Sequence, residues 1–211
     1  MKLLHTSDWH LGHSLYNFDR TAEQQAFLKQ LTEAVRTHRP DALLISGDVY
    51  HYSSPSASTQ RMYTDAILAI HDACPTMQII VTAGNHDSSS RLEIDSNLWK
   101  HFRVHVIGSI DRKDNQVLWE KHIIPLADES GKLTGYVIAV PHCYPQNFPA
   151  LHPDIPRDER QADFFHTLLE ETAKRNTTGV PVILMAHLAV AGSDITGHDD
   201  GKSPIQMYLQ E

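Results

Sequence analysis

The sequence is short of the features that mark several large protein classes. It has two cysteines in 211 residues, Cys74 and Cys143, far apart and without C-x-x-C spacing. That excludes a disulfide scaffold and a thiolate zinc site, and fits a reduced intracellular pair. No apolar run approaches the roughly 18 residues of a membrane span. Met1-Lys2-Leu3-Leu4 meets His5, Ser7 and Asp8 before the core of a signal peptide can form. The expected compartment is the cytoplasm, with no membrane contact. Positive charge is scarce too: 18 lysines and arginines against 26 acids give a formal net charge of -8. A protein coated with basic surface for nucleic acid is thereby excluded. A nuclease is not, because divalent cations held by clustered carboxylates supply positive charge where a phosphate needs it. Internal repeats, low-complexity tracts and charged tails are also missing.

What is present is an alternation of short β-type runs with helical patterns, in a length that fits one large domain burying roughly 70% of its unfolded surface. Strands are predicted at Lys2–Thr6, Ala42–Ser46, Gln78–Thr82, Val104–Ile107, Tyr136–Val140 and Val182–Met185. The runs "ALLIS", "QIIVT" and "VILMA" are nearly continuous apolar, which suits strands covered on both faces and implies a layered α/β domain. Phe27, Leu28, Leu31, Ala34 and Val35 recur at helical spacing over Thr21–Thr37, and Pro40 stops that helix. Further helices are predicted at Thr59–Ala73, closed by Pro75, at Leu92–Phe102, and at Arg157–Arg175 with Phe164, Phe165, Leu168, Leu169 and Ala173 on one stripe. Pro141–Pro156 reads as a long loop, and "SGKLTG" at 130–135 as a hairpin turn.

The polar residues that follow these strands carry the chemistry. "HTSDWHLGH" places Asp8 and His10 one residue apart straight after the first apolar run. In extended backbone, residues i and i+2 project to the same side, so a carboxylate oxygen and an imidazole nitrogen converge on one point. Gly47-Asp48 follows "ALLIS", Gly84-Asn85-His86-Asp87 follows "QIIVTA", and His187 follows "VILMA". Taken singly, the two glycine pairs read as turns and His187 as a satisfied core histidine. Jointly, in a mainly parallel sheet, such positions gather in the crevice outside the carboxyl ends of the strands. Oxygen and imidazole donors without thiolate suit manganese, iron or zinc, and magnesium less well. Two ions about 3.5 to 4 Å apart sharing a carboxylate clamp a phosphate and activate water for in-line attack. Asp48 is the expected bridge.

The motifs "SDWHLG", "SGDVYH", "AGNHD" and "AHL" resemble the phosphoesterase signature of the calcineurin-like metallophosphoesterases. "HTSDWHLGHSLYNFDRTAEQQAFL" is similar, more narrowly, to the SbcD-type nuclease subunits of bacterial SbcCD DNA-repair complexes. The resemblance covers roughly residues 1 to 190. It implies an α/β fold, a metallophosphoesterase four-layer β-sandwich flanked by helices. It also implies two divalent metal ions, Mn2+ first and Mg2+, Fe2+ or Zn2+ as alternatives. On this reading Asp8 and His10 ligate the first, Asp48 bridges, and Asn85 and His187 ligate the second. His86 stabilises the transition state or protonates the departing oxygen, and His51 helps to seat the phosphate. The implied activity is exonuclease and endonuclease cleavage of DNA, with an SbcC-like ATPase as partner. A homodimer is implied as well, with the helices near Thr59–Ala73 and Leu92–Phe102 between subunits and Tyr63, Ile67 and Trp99 as contact residues.

The sequence also departs from the family pattern. The downstream Gly-His-x-His motif, whose histidines each complete one metal, is not written in these residues; Gly197-His198-Asp199-Asp200 comes nearest and lacks the second histidine. The capping domain and the SbcC-engaging segment are not written either. Residues 1–211 are therefore expected to be the metallophosphoesterase domain alone, weakly active or inactive. Two other readings stay open: a phosphoesterase of small phosphodiesters or nucleotides, and a non-enzymatic dimerisation or interaction fragment.

Overall fold

Alternate residues of the buried strands go to different layers, and that parity builds the architecture. In the computed structural model, which describes residues 1–128 and 130–188, four strands form the first sheet: β1 (Leu3–Thr6), β2 (Ala42–Ser46), β3 (Gln78–Thr82) and β4 (Val104–Ile107). They lie side by side in chain order, every pair parallel. The second sheet places β6 (Leu133–Val140) between β5 (Ile123–Ala127), antiparallel to it, and β7 (Val182–Ala186), parallel to it.

Ala42, Leu44, Ile80 and Ile107 of the first sheet pack with Ile124, Leu126, Val137, Ala139 and Met185 of the second, forming the seam of the sandwich. Their neighbours Leu43, Ile45, Ile79, Val81, Val104 and Val106 face the other way. They pack under α1 (Thr21–His38) and α2 (Ala57–Ala73) through Leu28, Leu31, Val35, Tyr63, Ile67 and Ile70. On the far side, Ile123, Tyr136, Ile138 and Val140 meet Phe164 and Leu168 of α3 (Arg160–Arg175). The order is helices, sheet, sheet, helix: an α/β four-layer sandwich, as the sequence leads one to expect. Helix ends follow local chemistry. Ser56 Oγ accepts from Thr59 N–H at 3.2 Å at the start of α2, and Arg39, left-handed at φ 44°, closes α1 before Pro40.

The differences from expectation have physical causes. The helix predicted over Leu92–Phe102 is instead two short turns, Ser89–Leu92 and Ser96–Trp99, followed by a 3-10 turn at Lys100–Phe102. At the break, the Glu93 carboxylate accepts from Gly108 N–H at 2.6 Å and Ser109 Oγ at 3.2 Å, tying the segment to the end of β4. Strand β5 is not predicted from sequence because Pro125 sits in its middle; it is an edge strand, and Pro125 is exposed there. The turn expected at 130–135 belongs to the β5–β6 hairpin, but Leu133 already pairs with Ala127. Tyr63, Ile67 and Trp99 lie in the core at 3%, 0% and 3% exposure, where no second subunit can touch them. In the segment 89–102 the exposed apolar side chains are Ile94 and Leu98. Gly197-His198-Asp199-Asp200 lies outside the described residues.

His122 is fully buried in this core. Its Nδ1–H donates to the Ala139 carbonyl at 2.9 Å, and Nε2 has no hydrogen-bond partner. Burial pushes its pKa below the ordinary 6.5, so the unfolded chain takes up a proton that the folded chain refuses. Its contribution to stability is complete above pH 6.5 and is lost as pH falls from there toward the lowered folded value. The free energy of unfolding in urea should therefore drop on acidification, by at most about 1.4 kcal/mol per pH unit for this one proton. His122→Asn should flatten that part of the profile; an unchanged slope would refute the assignment.

Candidate metal centre

Strands β1 and β2 end at Thr6 and Ser46, but their parallel pairing runs on into the loops. Asp8 N–H donates to Gly47 O (3.1 Å), His10 N–H to Asp48 O (2.9 Å), Leu11 N–H to Val49 O (2.9 Å) and His51 N–H to Leu11 O (3.1 Å). Side chains alternate along the first loop: Trp9 and Leu11 enter the core at 5% and 1% exposure, while Asp8 and His10 turn outward. The backbone that achieves this is not the extended one expected for Asp-x-His. Asp8 and His10 sit at φ 55° and 44°, and Asp48 at φ 51°. Left-handed kinks, each costing on the order of 1 to 3 kcal/mol, aim these side chains, and such strain gathers at functional sites.

Two side chains fasten the loops from behind. Gln24, buried on α1, accepts from Gly12 N–H at 3.1 Å and donates to His10 O at 2.9 Å. The Asp87 carboxylate accepts from Val49, Tyr50 and Gly84 N–H at 3.1, 2.8 and 2.9 Å. Burial raises the Asp87 pKa, and these three N–H groups oppose that rise.

Asp48 stands in the middle, 3% exposed. Its Oδ1 accepts from His86 N–H at 2.9 Å. Its Oδ2 lies 3.6 Å from His10 Nε2 on one side and 3.6 Å from His187 Nε2 on the other. His10 Nε2 is also 3.8 Å from Asp8 Oδ1. His187 donates its Nδ1–H to Ser46 O at 2.9 Å, which turns Nε2 toward Asn85 Oδ1, 3.1 Å away. A carbonyl on one ring nitrogen fixes the tautomer and frees the other nitrogen for a metal. Nothing larger than hydrogen fits at two positions: a Cβ on Gly84 would strike the Asp48 carboxylate, and one on Gly47 the His187 ring.

Asp8, Asp48 and His187 bring ligand atoms within 4.8 Å of one another, and so do His10, His51 and His86. Among the described residues, no lysine or arginine pairs with Asp8 or Asp48. Carboxylate and imidazole donors with no cation among them suit a divalent ion. His86 donates Nδ1–H to His51 O at 2.8 Å. Burial, followed by the neighbouring His13, His10 and His86, lowers the His51 pKa to about 4, so its ring is neutral at pH 7.

The profile of the calcineurin-like phosphoesterase family matches residues 1–209. The chain belongs to that family. Calcineurin-like phosphoesterases bind divalent metals, and these clustered donors are candidate ligands for them. The chain is similar to the SbcD component of the SbcCD nuclease of Rhodobacter capsulatus, 36% identical over 197 residues, or 91% of this chain and 49% of that protein. The Escherichia coli K12 protein of the same name is 28% identical over 201 residues, 92% of this chain and 48% of its own length. The chain thus spans about half the length of the curated relatives it matches.

The fold gathers Asp8, His10, Asp48, Asn85 and His187 around one point, with His86 and His51 beside them. Three contributors are missed by sequence reasoning. Asp87 stands within "GNHD", and its partners, being backbone amides, leave no trace in the residue pattern. Gln24 is a polar position on an amphipathic helix, with nothing to mark it. His142 belongs to the Pro-rich loop; its N–H donates to Ala83 O at 2.7 Å and its Nδ1–H to His187 O at 3.2 Å.

Asp87→Asn puts an amide NH2 against backbone N–H donors. Stability should fall by about 2 kcal/mol in urea unfolding, and Mn2+ binding by calorimetry should weaken about tenfold as Asp48 and His86 lose their support. Wild-type binding in a destabilised variant would show that Asp87 serves the fold alone.

Proposed function

We propose that this chain is the phosphoesterase part of an SbcD-type nuclease that hydrolyses DNA phosphodiesters with two divalent ions, manganese foremost. One observation carries the reading: a single buried carboxylate oxygen, Asp48 Oδ2, stands 3.6 Å from two imidazoles that arrive from different sheets. Asp8 and His10 complete one ligand set, Asn85 and His187 the other, and Asp48 belongs to both. Bound divalent ions there would polarise the phosphate and make water a better nucleophile. His86 is held through Nδ1 by the His51 carbonyl, which leaves Nε2 to pass a proton to the departing oxygen. Neutral His51 donates a hydrogen bond to a phosphate oxygen.

The name the relatives carry supports an SbcC-like ATPase as partner and DNA as substrate. Ile94 and Leu98, 75% and 57% exposed, are the apolar surface on offer to a second copy in a homodimer. No helix among the described residues is long and apolar enough to cross a membrane, and the proposed compartment is the cytoplasm. Within residues 1–211 each proposed ligand set is one imidazole short of the family's Gly-His-x-His pattern, which is not written there. DNA cleavage by this stretch alone should accordingly be weak.

Asp48→Asn should abolish the binding of both Mn2+ ions in a calorimetric titration. His86→Ala should bind Mn2+ as the wild type does while diester hydrolysis falls about 10²- to 10⁴-fold. A chain that binds no divalent ion, or a His86→Ala variant of wild-type activity, would overturn the assignment. Turnover of a chromogenic diester without any cleavage of DNA would favour a small-phosphodiester enzyme instead.

A further inference from the structure

Nucleic-acid binders usually draw affinity from phosphate contacts by lysine and arginine, and this chain, at -8, is poorly supplied for that. What it does expose near the metal centre is aromatic. Among the described residues the exposed Phe and Tyr side chains are Tyr16, Phe18, Phe27, Tyr52 and Tyr144. All five lie on segments that leave the carboxyl ends of β1, β2 and β6, the end of the sandwich that carries Asp48.

Two of them touch the site's own histidines. The Tyr52 ring, 54% exposed, lies edge-on to His51 with centroids 4.6 Å apart. His51 in turn stacks on His86 at 5.3 Å and meets His10 at 5.4 Å. On the opposite flank the Tyr144 ring, 43% exposed, stands edge-on to His142 at 4.9 Å. His142 lies 6.3 Å from the His187 ring. A line of rings thus runs from Tyr52 through His51 and His10 to Asp48, and on through His187 and His142 to Tyr144. Both tyrosines stand roughly perpendicular to a histidine of the site and keep about half of their surface open to solvent.

We infer that Tyr52 and Tyr144 are base-seating residues: each stacks an unpaired base, one on either side of the phosphodiester held at Asp48. Stacking needs no positive charge and accepts any base, so it supplies on an acidic surface the affinity that lysines supply elsewhere. A base can lie on these rings only when it is out of a duplex, so the favoured substrate is single-stranded nucleic acid or a frayed end. This inference rests on the hydrolase reading above for the location of the phosphate, but binding can be read separately from turnover.

The test uses a fluorescein-labelled oligothymidylate and an oligomer of equal length with abasic sugars throughout, measured by anisotropy without added metal. The chain should bind the thymidylate at least about tenfold tighter than the abasic strand. Tyr52→Ala and Tyr144→Ala should each cost about fivefold or more on the thymidylate and nothing on the abasic strand, while Tyr→Phe at either position restores binding. The salt dependence should be shallow, since few phosphates are neutralised. Leu169→Ala, an exposed apolar residue on α3, should change nothing. Equal affinity for both oligomers, or alanine variants that bind thymidylate like the wild type, would overturn the inference. Hydrolysis of a chromogenic diester in Mn2+ separates the two readings. Turnover with base-independent binding would sink the stacking alone; base-dependent binding without turnover would sink the hydrolase alone.

Discussion

The loops after β1 and β2 go on pairing once their strands have ended, and everything at the metal centre depends on that. Four backbone hydrogen bonds link Asp8, His10 and Leu11 to Gly47, Asp48, Val49 and back from His51. Asp8 and Asp48 are thereby placed at a fixed separation by backbone geometry, which tolerates little variation, rather than by the freedom of two loop side chains. The pairing holds because Trp9, between the carboxylate and the imidazole, and Leu11, just after them, are sealed into the core. Sequence makes the alternation, burial enforces it, and the ligands face outward as a consequence.

The second sheet contributes one candidate ligand from far along the chain. His187 follows β7, and its Nδ1–H reaches across the sandwich to Ser46 O at the end of β2. That bond can form only if the two sheets are held at the separation set by Leu44, Ile80, Val137, Ala139 and Met185. The apolar seam and the ligand geometry are therefore one constraint: a change in seam volume displaces His187 relative to Asp48. Gly47 and Gly84 are required for the same reason, since the space beside them is already filled by His187 and Asp48.

How much of this was legible in the sequence follows from what each interaction uses. Buried strands announce themselves as apolar runs, so β2, β3, β4 and β7 were read to within a residue or so, while β5 was hidden by Pro125 at an edge. That these candidate ligands gather at one end of the sheets was legible because they follow strand ends; how Asp8 and His10 converge was not, because a left-handed backbone leaves no mark on an Asp-x-His. The roles of Asp87 and Gln24 depend on backbone amides brought close by the fold, and no residue pattern encodes that. Tyr63, Ile67 and Trp99 lie in the core of this chain, where apolar spacing alone cannot tell an interface from an interior.

The electrostatics of Asp48 tie stability to occupancy. A carboxylate 3% exposed has lost most of its hydration, and it is faced by one backbone N–H and two imidazoles, with no lysine or arginine among the described residues. Removing a charge from water without a full counter-charge is expensive, and the left-handed backbone at Asp8, His10 and Asp48 adds strain. Both costs are borne by the folded chain whether or not a ligand is present. A divalent cation held there would bind only the folded arrangement, so its binding energy would offset those costs directly. The acidic balance of the whole chain acts in the same direction, since a negative field concentrates cations. An excess of carboxylates, which would weaken an ordinary nucleic-acid binder, is on this argument what would make the site receptive to a divalent cation.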